Sequence, residues 1–182
     1  MGEAREAPPA QLFVGLLIAP QCPLARVQEL LEERLGPVEI RSQLLDFIYT
    51  KYYEPEMGPD LKRQFLGFQN LVVPHQLPEV KHFTNGLERD FAPQGKRCIN
   101  IDPGYLTGAK LVLASTKDYA HRLYLGNGIY GEVTLIFQRG EFTPLPWTYP
   151  DYRSDAYQPF FRELRDRYLA RVSRKPPVSK DL

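Results

Sequence analysis

Cysteine is scarce in this sequence: Cys22 and Cys98 are the two thiols among 182 residues, and 76 positions separate them. No CxxC pair and no Cys/His quartet accompanies them, which argues against an ordinary structural zinc site. A long hydrophobic run is also missing. The longest, LFVGLLIA at residues 12–19, falls far short of the roughly 20 residues that cross a bilayer. The start, MGEAREAPPA, is acidic and carries proline where a secretory leader would be basic and then apolar. Together these features predict a cytoplasmic protein with no membrane association and with reduced thiols. Charge of one sign is lacking too: 23 Lys and Arg face 22 Asp and Glu, for a formal net charge of +1. No global field draws the chain to nucleic acid, so any charge-driven binding is local.

Several motifs are absent. GYLTGAK at 104–110 has three residues between its glycines, and its lysine precedes Leu111, so it is not a phosphate loop. TKD at 116–118 lacks the spacer of the guanine-reading N/T-K-x-D signature. Neither HExxH nor a nucleophile elbow occurs. Basic residues are not interleaved with aromatics as in an RNA-binding strand, and nucleic-acid binding is not expected.

What the sequence does hold is clear periodicity. QLFVGLLI (11–18) is an apolar run of strand length, the mark of a buried central strand. Leu24, Val27, Leu31 and Leu35 recur at helical steps before Gly36 and Pro37, which predicts a helix over 24–35. A strand over 38–49, a long turn over 50–60 and a strand over 61–73 follow as a hairpin. Leu77, Val80, Phe83, Leu87 and Phe91 trace a second helix, and KRCINID (96–102) a fourth strand that ends at Pro103-Gly104, read as a turn. Asn100 and Asp102 share one face of that strand, where they could form a buried polar pair.

This order is β-α-β-β-α-β, the ferredoxin-like pattern of an α+β fold. Strands over 109–114, 119–125 and 129–138 extend it as an antiparallel meander of about seven strands in all. A Pro- and aromatic-rich loop then leads to a terminal helix near 155–171. The expectation is one domain, with residues 1–10 and 173–182 as disordered tails.

In the meander, STKDYAHRLYLGNGIYGEVTLIF (115–137) crowds Lys117, Asp118, His121 and Arg122 onto one arm. A three-residue loop at 126–128 pairs Arg122 with Glu132 and Tyr124 with Tyr130. His121, Leu123, Leu125, Val133, Leu135 and Phe137 then share an apolar face, and Arg122, Tyr124, Tyr130, Glu132 and Thr134 a polar one. That makes Arg122–Glu132 a surface ion pair of roughly 0.2–1 kcal/mol and His121 a hydrogen-bonded core histidine near the strand end. Ser115–Asp118 have the composition of an ordinary turn.

Topology gathers chemistry. If the strands alternate direction, five connections meet at the edge where the first strand ends: residues 19–23, 48–60, 92–97, 115–118 and 139–153. They collect Lys51, Tyr52, Tyr53, Glu54, Glu56, Lys96, Arg97, Ser115, Thr116, Lys117, Asp118, Trp147 and Tyr149 at one rim, with His121 and Arg122 below it. Cations and hydroxyls backed by aromatic rings suit a small phosphate- or nucleotide-like anionic ligand. Lys51, Lys96 and Lys117 are the candidate anion holders, and Ser115 and Thr116 the hydroxyl donors. Glu54 and Glu56 are candidates to hold a hard cation such as magnesium or to act as a base. Metal-assisted phosphoryl or acyl chemistry is the reaction class these groups would suit. The rival expectation is a non-catalytic interaction module in which Trp147, Tyr152, Tyr157, Phe160 and Phe161 form a protein-contact surface.

Four blocks, TKYYEPEMG (50–58), GKRCINIDPGYL (95–106), ASTKDYAHRLYL (114–125) and PWTYPDY (146–152), together resemble the bacterial family known as domain of unknown function 4416. The likeness spans about residues 11–165. It implies no particular reaction, cofactor or catalytic residue.

Overall fold

A computed structural model describes residues 2–173. Met1 and residues 174–182, where most of the expected C-terminal tail falls, lie outside the described residues. Strand β1 (Ala10–Ile18) is buried at all nine positions. It pairs antiparallel with a later strand on each side, and both faces are covered, so its alternating side chains enter two different cores. Leu12, Val14, Leu16 and Ile18 join one cluster; Phe13 joins another on the opposite face. Residues 2–9 have no regular secondary structure, although Pro9 accepts a hydrogen bond from the Tyr168 hydroxyl at 3.1 Å.

Helix α1 (Leu24–Leu35) buries Val27, Leu31 and Leu35, and Gly36 ends it at φ 97°. The expected strand over 38–49 is broken into β2 (Val38–Arg41) and β3 (Leu45–Asp46). Ser42 marks the break: its N–H donates to the Phe65 carbonyl and its hydroxyl accepts from the Phe65 N–H, each at 2.9 Å. A side-chain oxygen thus replaces a ladder acceptor. The long turn contains one short helix, α2 (Glu54–Met57), with Met57 buried.

Strand β4 (Lys62–Val72) and helix α3 (Leu77–Asp90) match expectation closely. Strand β5 (Ile99–Leu106) does not stop at Pro103-Gly104, as the turn reading required; both residues lie inside it, opposite Val14 and Phe13. Gly104 is there because the space is small. A Cβ on it would stand 2.4 Å from the Val112 carbonyl oxygen and 2.6 Å from Phe13 Cζ. Because one obstacle is backbone, Gly104→Ala should lower the unfolding free energy by about 1–3 kcal/mol, read from the urea midpoint; an unchanged midpoint would mean the strands separate freely at this point.

Strands β6 (Lys110–Ser115), β7 (Leu123–Gly126), β8 (Ile129–Gln138) and β9 (Glu141–Pro144) and helix α4 (Gln158–Ser173) complete the described residues. Among the described residues the result is a mixed α/β architecture with four α-helices and one antiparallel sheet of nine strands. Its main order is β2-β4-β1-β5-β6-β8-β7, with β3 on β4 and β9 on β8. Helices α1 and α3 pack on one face. Helix α4 and the chain leading to it pack on the other, placing Tyr152, Tyr157, Phe160 and Phe161 in the core with Phe13, Phe65 and Phe142. These four aromatics therefore face inward instead of forming the expected contact surface; Trp147 stays partly exposed. Among the described residues no helix is long and apolar enough to cross a membrane.

Candidate functional site

Strands β5 and β6 pair over only three positions, from Leu106–Leu111 to Gly104–Leu113. From Pro103 back to Ile99, β5 is paired with β1 alone, and the last residues of β6 are paired with β8 alone. Pro103 has no N–H to donate, and the ladder ends where it begins. The parted strands leave a cleft of about 410 Å³, flanked by α3, residues 47–53 and residues 149–152. This volume lies within the range of small-molecule sites.

One wall is a chain of ion pairs on β5. Arg97 donates from Nε and Nη2 to the two oxygens of Glu56 at 2.6 and 2.8 Å, and from Nη1 to Glu88 Oε2 at 2.6 Å and Asn100 Oδ1 at 3.1 Å. The other Glu88 oxygen accepts from the Ile101 N–H at 2.7 Å. Asn100 in turn donates to Asp102 Oδ2 at 2.6 Å, and Lys81 Nζ donates to Asp102 Oδ1 at 3.3 Å and the Ile101 carbonyl at 3.0 Å. Arg97 holds the Glu56 carboxyl below its ordinary range, whereas burial pushes the Glu88 carboxyl up despite Lys81 and Arg97. The Asn100–Asp102 contact is the polar pair that strand alternation allowed.

The opposite wall belongs to β6 and β8. Buried Arg122 donates from Nε to Glu132 at 2.9 Å, from Nη1 to Ser115 Oγ at 2.7 Å and the Lys117 carbonyl at 3.0 Å, and from Nη2 to the Tyr149 hydroxyl at 2.6 Å. This is no surface pair. The faces depart from expectation: Arg122, Glu132 and Thr134 are buried and Leu123 and Leu125 are exposed on the edge strand, whereas Leu135 is buried and Tyr124 exposed as the alternation required. Strand β7 begins only at Leu123, so Arg122 precedes the ladder and turns under Tyr149 instead of continuing the alternation. Tyr124 does oppose Tyr130. His121 contacts Glu132 at 3.0 Å and stacks on Trp147, their ring centres 5.3 Å apart.

Beneath the cleft, Arg63 Nη2 donates to Asp151 at 2.8 Å, with both side chains buried. Its Nε and Nη1 have no partner among the described residues; the guanidinium carbon lies 5.2 Å from the ring centre of Phe47, 5.8 Å from Phe65 and 5.9 Å from Tyr152. Aromatic faces thus stand in for the missing acceptors. Burial opposes the charge on Arg63, but Asp151 and the neighbouring tyrosine oxygens outweigh it and hold the group above its ordinary value. Burial also raises Asp151, against the pull of Arg63.

Of the residues expected at one rim, Tyr52, Tyr53, Arg97, Ser115, Thr116, Lys117, Arg122 and Tyr149 line this cleft. Glu54, Glu56 and Lys96 border a separate shallow depression with Pro20 and Pro93. Lys51, Asp118, His121 and Trp147 line neither. Both oxygens of Glu56 are taken by Arg97, so the Glu54–Glu56 pair is not arranged as a cation site; among the described residues no cluster of three His, Cys, Asp or Glu is placed to hold a metal. The cysteines are free, and burial, then Cys98, pushes the Cys22 thiol up to about 12, the reverse of an activated nucleophile. The sequence reading missed Arg63, Lys81, Glu88, Asp151 and Glu132 as cleft residues. For Arg63 a signal existed: it has the same strand parity as Phe65, on the aromatic face of β4.

A protein-family model described as domain of unknown function (DUF4416) matches residues 8–168. No curated protein and no solved structure matches the chain.

Proposed function

We propose a function for a chain that belongs to the DUF4416 family: it binds a small anion in the cleft between β5 and β6. The observation that carries this reading is the charge of the lining. Arg63, Lys81, Arg89, Arg97, Lys117 and Arg122 face Glu88, Asp102, Glu132 and Asp151, an excess of two cations that becomes one once Glu56, held by Arg97 just outside the lining, is counted. Among the described residues, Arg89 and Lys117 are the lining cations with no carboxylate at ion-pair distance; the others are paired. Both are exposed at the mouth, where Lys117 Nζ lies 3.4 Å from the Tyr52 hydroxyl. Ser115, Thr116, Tyr52 and Tyr149 bring hydroxyls to the same opening. An anion seated there would gain charge-assisted hydrogen bonds that solvent now supplies.

The same reading takes the first half of the chain as a ferredoxin-like unit within a single domain. The antiparallel order β2-β4-β1-β5, with α1 and α3 on one face, supports it. Free cysteines support a cytoplasmic setting.

Calorimetric titration with orthophosphate, pyrophosphate and citrate tests the anion reading. One of them should bind, and at a hundred times its dissociation constant it should add about 2.7 kcal/mol to stability. Lys117→Ala and Arg89→Ala should each weaken that binding by about tenfold, or 1.4 kcal/mol. Absence of binding by all three anions, and by small organic phosphates titrated in the same way, removes the proposal.

A further inference from the structure

We infer that the occupant of the cleft is a phosphorylated sugar or polyol, held with its phosphate at the mouth and its hydroxyls inward on Asp102. This rests on the anion-binding reading above. The four carboxylates of the lining are not equivalent: the side chains of Glu88, Glu132 and Asp151 are 7%, 2% and 6% exposed, and that of Asp102 is 27% exposed. Asp102 is therefore the lining carboxylate that a ligand can reach.

Each of its oxygens has one side-chain partner, Lys81 on Oδ1 and Asn100 on Oδ2, so each keeps acceptor capacity. A carboxylate accepts only, and the inner end of the ligand must donate. Hydroxyls fit better than an ammonium group, because Lys81 already stands beside Asp102 and the lining as a whole is cationic. Two hydroxyls on neighbouring carbons can each find one carboxylate oxygen.

The remaining surface agrees with that orientation. Phe47, Tyr49, Tyr52, Tyr53 and Tyr149 line the cleft with ring surface against which the C–H face of a sugar can pack. The unpaired cations Arg89 and Lys117 are exposed to solvent, so a strongly hydrated phosphate held by them keeps part of its water.

Titration of the wild-type protein with orthophosphate, ribose, ribose 5-phosphate, glucose 6-phosphate and glycerol 3-phosphate supplies the test. The best phosphorylated polyol should bind at least tenfold more tightly than orthophosphate, and ribose alone more weakly than either. Asp102→Asn should reduce that preference below threefold without weakening orthophosphate binding, since it removes a negative charge from the lining; Lys117→Ala should weaken both in parallel. Orthophosphate binding with no polyol preference overturns this inference and leaves the anion reading standing, as does a tenfold preference that survives in Asp102→Asn. Failure of orthophosphate, pyrophosphate, citrate and every phosphorylated polyol removes both. The wild-type comparison decides the matter even if Asp102→Asn does not fold.

Discussion

Replacing Arg63 by methionine lowers the unfolding free energy by about 3–5 kcal/mol and the melting midpoint by about 6–20 °C. Methionine keeps much of the aliphatic stem but removes the charge, leaving Asp151 without its 2.8 Å partner beneath the cleft. An unpaired carboxylate there cannot recover its hydration, because both members of the pair are buried. The loss should shrink as the pH falls. The orphaned carboxyl has a folded-state pKa above its unfolded one, so the penalty is present above the folded pKa and disappears as the group takes up a proton. Arg63→Met combined with Asp151→Leu should recover most of the stability, since an apolar pair of similar volume avoids desolvating two charges. Urea unfolding of the two single variants and the double variant at pH 7 and pH 5 measures these differences. A single Arg63→Met variant within 0.5 kcal/mol of wild type would show that water reaches the pair.

Phe161→Ala should cost about 3–5 kcal/mol and decide between two uses of the aromatic C-terminal region. Its ring is fully buried, with centres of Phe65, Phe160, Phe13, Tyr152 and Phe142 at 5.0, 5.3, 5.5, 6.0 and 6.1 Å. Removing it opens a void among five rings that sit on the sheet, on α4 and on the loop before it, so no single neighbour can close the space. In an interaction module that displayed these aromatics, truncation would change stability by no more than about 0.5 kcal/mol and would weaken partner binding instead. Denaturation midpoints measured across protein concentrations separate the outcomes: a large, concentration-independent loss supports the packed core.

The parts of the fold that were legible are those whose signal is local. Helix α1 was readable over its full length because its apolar spacing, Gly36 and Pro37 agree. Strand β1 was readable because nine consecutive residues had to be buried on two faces. The Pro103-Gly104 dipeptide misled because its turn preference is also local, and what keeps it extended is the approach of Phe13 and Val112 from other strands. Arg122 and Glu132 were correctly paired, yet their burial depended on Tyr149, a residue in a later loop. Lys81 lay on a helix whose apolar pattern drew attention, while its use depended on the exposed side of β5.

By itself the sequence determined the order of the main helices and strands, the buried central strand, the scarcity of thiol chemistry and the loops where ionisable groups gather. These follow from periodicity, turn chemistry and composition, which act over a few residues at a time. Only the tertiary structure decided where β5 and β6 part, which carboxylate remains open between them, and which aromatics face inward. Those depend on side chains brought together across the sheet, where desolvation and close contact outweigh local preference.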